Sequence, residues 1–255
     1  MSDSELNEQE VLEAVRRSFS KIYTGGNNDA ETEKLIQSIG IQKGGRYLDL
    51  GTGSGYVAFM MSRANPEAYF DGLDVVESVI SRNNAIVLQE GRERLKFYSY
   101  DGKKFPMDDL VYDGLIARYT LHHFPNIENT VKEINRVLKE KSRIVISDCI
   151  RNEKDKARFL DLFMKRLGDG HVSFIDEKDF CELFGRHGFK LKYKYETEVG
   201  ISRSMDAGYR ELINSYSEEA RSYRYIIDED EVRLTVRVNN LVFERGGSMP
   251  CNPLS

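Results

Sequence analysis

Apolar residues recur at helical spacing near the start of the chain, where Val11, Val15, Phe19 and Ile22 form one stripe of the segment Asn7 to Tyr23. Asn7, with Glu10 three positions on, has the form of a capping box. Gly25-Gly26-Asn27-Asn28 ends this predicted helix, and a second helical stretch runs from Ala30 to Ile39 before the turn Lys43-Gly44-Gly45. The period then changes. Tyr47-Leu48-Asp49-Leu50 reads as a short buried strand that runs into a glycine loop and a helix from Tyr56 to Ala64. Further strands are predicted at 68–75, 95–100, 114–119 and 143–149, with helices at 77–89 and 127–139 between them. Ile144-Val145-Ile146 has the unbroken β-branched content of a strand covered on both faces.

Strands alternating with helices imply a parallel sheet wound by right-handed crossovers, with ligands at the carboxyl ends of its strands. The last third reads differently. Helices are predicted at 154–167 and 177–187, followed by the strictly alternating run Phe189 to Tyr195. Its Lys190, Lys192 and Lys194 share one face, read as a solvated face near the sheet edge rather than a basic patch. The alternating segment Val232 to Phe243 supplies a last strand, and residues 247–255 read as a disordered tail. No repeat or linker divides the chain. Residues 1–246 are expected to form one domain: a helical cap at 1–40, a cofactor-binding core at 41–150, a cap insertion and helix at 151–188, and C-terminal strands at 189–246.

Composition narrows the partners. The 255 residues carry a net charge of −5, which argues against a nucleic-acid backbone. No apolar run reaches the roughly 20 residues needed to span a bilayer, and the polar, acidic first ten residues do not read as a signal peptide. Cys149, Cys181 and Cys251 are widely spaced, so neither a disulfide framework nor a metal site is expected, and a reducing cytoplasm fits.

The densest chemical information lies in Leu48-Asp49-Leu50-Gly51-Thr52-Gly53-Ser54-Gly55. Gly51, Gly53 and Gly55 allow a sharp turn and a close approach to a ligand. Such a turn alone is shared by several nucleotide-binding chemistries. Tyr56 stands where a dinucleotide fingerprint has its third glycine, and a bulky group there opposes close helix–strand packing. Asp49, inside the strand, would repel a pyrophosphate but suits a ligand ammonium. Asp74, ending the second strand, is placed for ribose hydroxyls, which NAD and adenosylmethionine both carry. Asp101, followed by Gly102 at the end of the third strand, could accept from an adenine amine. Each acid alone could be an ordinary loop carboxylate; three at consecutive strand ends beside one glycine loop point to a nucleoside-containing ligand.

These residues belong to a longer ordered series. Leu48 to Gly55, Asp74, Tyr100-Asp101-Gly102, Asp113, Ala117 to Phe124, Glu133 to Leu138 and Ile144 to Asp148 resemble class I methyltransferases, nearest the UbiE-like small-molecule branch, over about residues 15–190. The resemblance implies S-adenosyl-L-methionine as cofactor and a Rossmann-like α/β fold. Its sheet would have seven mostly parallel strands, the last antiparallel, with helices on both faces and helical cap segments. It assigns Asp49, Gly51, Thr52, Gly53 and Gly55 to the methionine part, Asp74 and Val75 to the ribose, Asp101 and Gly102 to the adenine, and the backbone at Arg118 to the amino group. One departure is visible: Lys139-Glu140-Lys141-Ser142 replaces the family's Lys-Pro-Gly-Gly turn.

Methyl transfer asks the protein chiefly to align a nucleophile and exclude water, so a base is not obligatory. Candidate proton acceptors are His122 and His123, just after the fourth strand, and His171 in the cap segment. The histidine pair could equally cap the next helix or touch cofactor edges, and His171 could be a loop histidine bonded to structure. Arg118 is read as a structural partner of Asp148, although either could hold substrate. Tyr23 could close over the substrate or simply pack. No Asn-Pro-Pro-Tyr-like motif follows the fourth strand, where Arg118-Tyr119-Thr120-Leu121 stands, so methylation of nucleic acid or protein is not the expectation. The expected activity is methyl transfer to a small molecule. A cofactor-binding sensor without turnover and an NAD(P)-linked oxidoreductase are the alternatives.

Overall fold

A computed structural model describes residues 7–19 and 29–246. The chain opens with α1 (Glu8–Phe19) and α2 (Asp29–Ile39). It then alternates through β1 (Arg46–Leu50), α3 (Tyr56–Ala64), β2 (Tyr69–Asp74), α4 (Glu77–Gln89), β3 (Leu95–Ser99), β4 (Tyr112–Arg118), α5 (Ile127–Val137) and β5 (Leu138–Cys149). The last part holds α6 (Phe159–Lys165), α7 (Glu177–Arg186), β6 (Phe189–Ser204), α8 (Ala207–Ser215), α9 (Ser217–Ser222), β7 (Arg224–Asp228) and β8 (Glu231–Arg245).

The sheet order is β3-β2-β1-β4-β5-β8-β6, with β7 added beside β8. β1 to β5 run parallel, while β8 is antiparallel to β5, β6 and β7. The expected Rossmann-like sheet is therefore present, last strand antiparallel, with β7 as an unforeseen eighth member. Helices cover both faces, with one core on the α5 and α7 side (Val131, Ile134, Phe180, Phe184 against Leu115, Ile144) and another on the α2 and α3 side (Leu35, Ile39, Ala58, Met61 against Tyr47, Ile116). Full burial of each Val, Leu, Ile, Met or Phe among them contributes about 1.5–3 kcal/mol. The central strands are buried on both faces, which is why their sequence reads as apolar runs rather than alternation.

The predicted capping box forms: Asn7 Oδ1 accepts from the backbone of Glu10, and Glu10 Oε2 accepts from the Asn7 N–H at 2.8 Å. Two boundaries need correction. The predicted helix 154–167 is helical only over Phe159–Lys165, because the buried Asp155 carboxylate accepts from the N–H groups of Phe159 and Leu160 and starts the helix there. The predicted helix 127–139 ends at Val137, and β5 begins immediately at Leu138. Lys141, in the departing Lys-Glu-Lys-Ser segment, adopts φ 62°, the left-handed conformation that glycine takes without strain. The expected Lys190–Lys192–Lys194 face is exposed, with Lys192 and Lys194 paired to Glu244 and Glu177.

Parts of the chain from Cys149 to Val238 outside α7 assemble a separate cluster. Phe159, Phe163 and Phe174 pack with Tyr209, Tyr223, Leu234 and Val236, so α6, α8, α9 and the far halves of β6 and β8 share one small core. Among the described residues no helix is long and apolar enough to cross a membrane.

Candidate functional site

Register decides what meets at the strand tips. Leu50 pairs with Leu73 on one side and with Ala117 on the other, so Gly51, Asp74 and Arg118 emerge side by side. The Leu73 carbonyl accepts from the N–H groups of Gly51 and Thr52, which folds the glycine loop over β2. Gly51 has φ 66°, and a Cβ there would fall 1.9 Å from Thr120 Oγ1, so only glycine fits. Gly55 caps α3 in the left-handed conformation. Gly53 faces open space, and its N–H donates to Asp74 Oδ2 at 2.8 Å. Asn83, fully buried on α4, donates to the Gly53 carbonyl and holds the loop from behind.

The cleft in front of this loop encloses about 1190 Å³, part of it open to solvent. Asp49, Gly51, Thr52, Gly53, Tyr56, Asp74, Val75, Gly102 and Arg118 form its floor and sides. Leu12, Val15 and Phe19 of α1 form an apolar wall, Phe19 touches the ring of His123, and Tyr119, Thr120 and Phe124 complete the lining. Arg16 Nε donates to the Val75 carbonyl, tying α1 to the end of β2. The helix also rests on two glycines: a Cβ at Gly102 would meet Leu12, and one at Gly170 would meet Val15 and the Val11 carbonyl.

Asp49 is buried, accepting from Thr52 Oγ1 at 2.6 Å and from the Ala58 N–H at 3.2 Å. Burial lifts its carboxyl to about 7 against those two bonds, with the charge of Asp74 adding to the rise and Arg118 opposing it. Asp74 is also raised by burial, against bonds from the N–H groups of Gly53 and Val76. Two desolvated carboxylates in one cleft, each with lone pairs to spare, form an acceptor set for ammonium and hydroxyl groups. These residues therefore fit the amino and ribose ends of an adenosyl amino acid.

The third acid is placed differently. Asp101 is exposed, with its Oδ1 accepting from the N–H groups of Lys103 and Lys104, which lower its pKa. It is not among the residues lining the cleft, whereas its neighbours Tyr100 and Gly102 are.

The histidines separate into distinct environments. A short 3₁₀ turn, Leu121–His123, points His122 inward and His123 toward the cleft. His122 Nδ1 lies 2.7 Å from Asp148 Oδ1, and its carbonyl accepts from Val172 and Ser173 of the cap segment. This corrects the expected Arg118–Asp148 pair: Asp148 is engaged by His122, and the Arg118 guanidinium lies over the rings of Tyr119 and Tyr56. His171 is buried with Nε2 2.8 Å from Asp161 Oδ1, and its ring meets those of His122 and Phe174. Neither His122 nor His171 lines the cleft; His123 does. The Nδ1 of His123 is buried without a hydrogen-bond partner, and Phe19 meets its ring edge-on. Burial pushes His123 well below the usual histidine range, helped by His122 and His171 and opposed by the Gly170 backbone, so the ring is neutral at pH 7. Tyr23 lies outside the described residues, as do Cys251 and the tail 247–255.

Leu12, Tyr100, Tyr119, Thr120 and Asn83 are site-forming residues that pattern reading did not mark. Tyr119 takes φ 51°, a turn conformation with no marker in its neighbours.

A family model for the methyltransferase domain matches residues 41–177, more than half of the chain. The chain belongs to the methyltransferase domain family. Its curated relatives include the uncharacterized methyltransferase YcgJ of Bacillus subtilis, 29% identical over 103 residues, which are 40% of this chain and 40% of that protein. The ubiquinone/menaquinone biosynthesis C-methyltransferase UbiE of Desulfotalea psychrophila is 28% identical over 175 residues, 66% of this chain and 68% of UbiE. The chain thus spans less than half of YcgJ in sequence. In structure, the crystal structure of YcgJ matches 86% of this methyltransferase chain and 100% of that chain, with a TM-score of 0.74 at 17% identity, a likeness of fold.

Proposed function

We propose that the chain transfers a methyl group from S-adenosyl-L-methionine to a small-molecule acceptor, and that it stands near the UbiE-like branch. One observation carries this reading: Asp49 and Asp74, both desolvated, flank a glycine loop in a cleft that the apolar side chains of α1 and a neutral histidine also line. When bound, the cofactor supplies an activated methyl on a sulfonium. Asp49 receives the ammonium group, Asp74 the ribose hydroxyls, and the Gly51–Gly55 turn lets the backbone close on the ligand. Gly102 and Tyr100 offer a flat flank for the base, with Asp101 at the rim.

The chain's other contribution is alignment and dryness. Leu12, Val15 and Phe19 exclude water, and Tyr119 and Phe124 hold the acceptor. Alignment of this kind is worth up to about 7–11 kcal/mol in favourable cases. Where the acceptor atom bears a proton, the imidazole of His123, neutral at pH 7, would take it as that atom is methylated. His122 and His171 position His123 by packing and do not touch the acceptor. The same reading makes residues 1–246 one domain working in the cytoplasm without nucleic acid.

Calorimetry with adenosylmethionine, adenosylhomocysteine and NAD tests the binding half. Binding of the first two with no heat from NAD is the expected result, and tight NAD binding alone refutes the assignment. Incubation with methyl-labelled cofactor and a metabolite extract tests transfer; label that stays on the cofactor reduces the protein to a sensor.

A further inference from the structure

β7 pairs with β8 and, among the described residues, with no other strand. The two strands join through Glu229-Asp230, and the flanking Asp228 and Glu231 are register partners. A two-residue connection requires that flanking pair to be hydrogen-bonded to each other. Antiparallel alternation then turns the N–H and C=O groups of Arg224, Ile226 and Asp228 toward β8, and those of Tyr225 and Ile227 to the outer edge. Ile226 is 67% exposed and Ile227 44%, on an edge with two outward donors and two outward acceptors. An exposed apolar edge of this kind is a template for another strand.

We propose that β7 pairs with β7 of a second copy of this chain, antiparallel, about a two-fold axis at Ile226. The sequence Arg224-Tyr225-Ile226-Ile227-Asp228 complements itself in that register. Arg224 faces Asp228 of the second copy, and Asp228 faces its Arg224. Ile226 meets Ile226 as a non-hydrogen-bonded pair, the closer kind. Tyr225 faces Ile227 as the hydrogen-bonded pair, twice, so every outward N–H and C=O is used. Neighbouring registers fail this test. An axis at Tyr225 sets Arg224 against Ile226 and Asp228 against Ser222. An axis at Ile227 sets Asp228 against Ile226 and runs into the Glu229-Asp230 turn.

In the single chain Arg224 pairs with Glu198 of β6, so its charge is already held on the sheet face that carries Ile226. Exposed ion pairs contribute little affinity, so here the charges set register and the apolar centre with the ladder sets strength. Five residues from each copy fall short of the roughly 1,200 Å² or more of a standard interface. The dimer is therefore concentration-dependent, and it is isologous, as two-fold contacts are.

Sedimentation velocity on the full chain, from micromolar to hundreds of micromolar, tests this. The native chain is expected to shift from monomer toward dimer, and R224D and D228R are each expected to stay monomeric because like charges then face each other. An equimolar mixture of R224D with D228R restores opposite charges at both ends of the pair and is expected to recover the dimer. Ile226→Lys is expected to stay monomeric alone and in either mixture. A native chain that is monomeric throughout, single variants that still dimerise, or a mixture that does not associate each overturns the proposal. Circular dichroism of each variant checks that the fold is unchanged.

Discussion

Nδ1 of His122 and Oδ1 of Asp148 are 2.7 Å apart in the buried seam between the ends of β4 and β5. Asp148 also accepts from the N–H groups of His122 and Cys149, so one carboxylate serves three donors. Asp148→Ala leaves those donors without their acceptor and is expected to lower stability by about 1–3 kcal/mol. A denaturant melt should show the midpoint falling at constant slope; an unchanged midpoint removes Asp148 from this structural role.

Asp49 predicts a pH dependence of binding. Its carboxyl rises from 3.8 to about 7 in the folded chain, so the folded form holds the proton more tightly than the unfolded form. Between those two values the ligand-free protein therefore loses stability as pH rises, and the loss levels off above about 7. A bound ammonium favours the ionised carboxylate, so affinity for adenosylmethionine rises with pH through about 7 and binding releases a proton. Calorimetry in two buffers of different ionisation enthalpy measures that proton. Asp49→Asn should abolish both the release and the slope.

Asp74→Ala should weaken binding of adenosylhomocysteine at least tenfold, about 1.4 kcal/mol. The substitution removes both the ribose acceptor and the bond that fixes the Gly53 N–H. An unchanged dissociation constant would exclude Asp74 from the site.

His123→Ala should reduce turnover far more than cofactor affinity. Because burial holds the native ring neutral well below its ordinary range, turnover at saturating cofactor should not fall as pH is lowered through 6.5. A turnover profile that breaks at 6.5 in the native chain, and loses that break in His123→Ala, contradicts this placement.

Gly170 bears directly on α1. It has φ 82°, and a Cβ would sit 2.6 Å from Val15 Cγ2 and 2.8 Å from the Val11 carbonyl. Gly170→Ala should cost about 1–3 kcal/mol and raise hydrogen exchange across residues 8–19 while leaving β1 and β4 protected. Unaltered exchange in α1 would show that the helix does not depend on this contact.

Much of the sheet and of the glycine-loop cleft was legible because its parts are local. The apolar runs of β1, β4 and β5, the glycine spacing and the acids at strand ends follow from backbone periodicity and short-range chemistry. What failed was long-range. Asp148 looked like a partner for Arg118, since both end neighbouring strands, but the 3₁₀ turn after Thr120 brings His122 to it instead. Asp155 delays the start of the predicted helix through bonds that also involve Tyr223, 68 residues away. α8, α9 and β7 had no recognisable period because they bury small patches against α6 and β8 rather than a full stripe. Asp101 shows the limit of the strand-end rule: it has the expected place in sequence, yet its carboxylate turns to its own loop.

The small core built from α6, α8, α9 and the outer reaches of β6 and β8 shares almost nothing with the packing beneath the glycine turn. Tyr119, which walls the cleft, packs against it. Substitutions among those aromatic residues can thus shift Tyr119 and its side of the cleft while Asp49, Asp74 and the glycine turn keep their own packing. Two halves that vary independently would let one scaffold change its customers without relearning its trade.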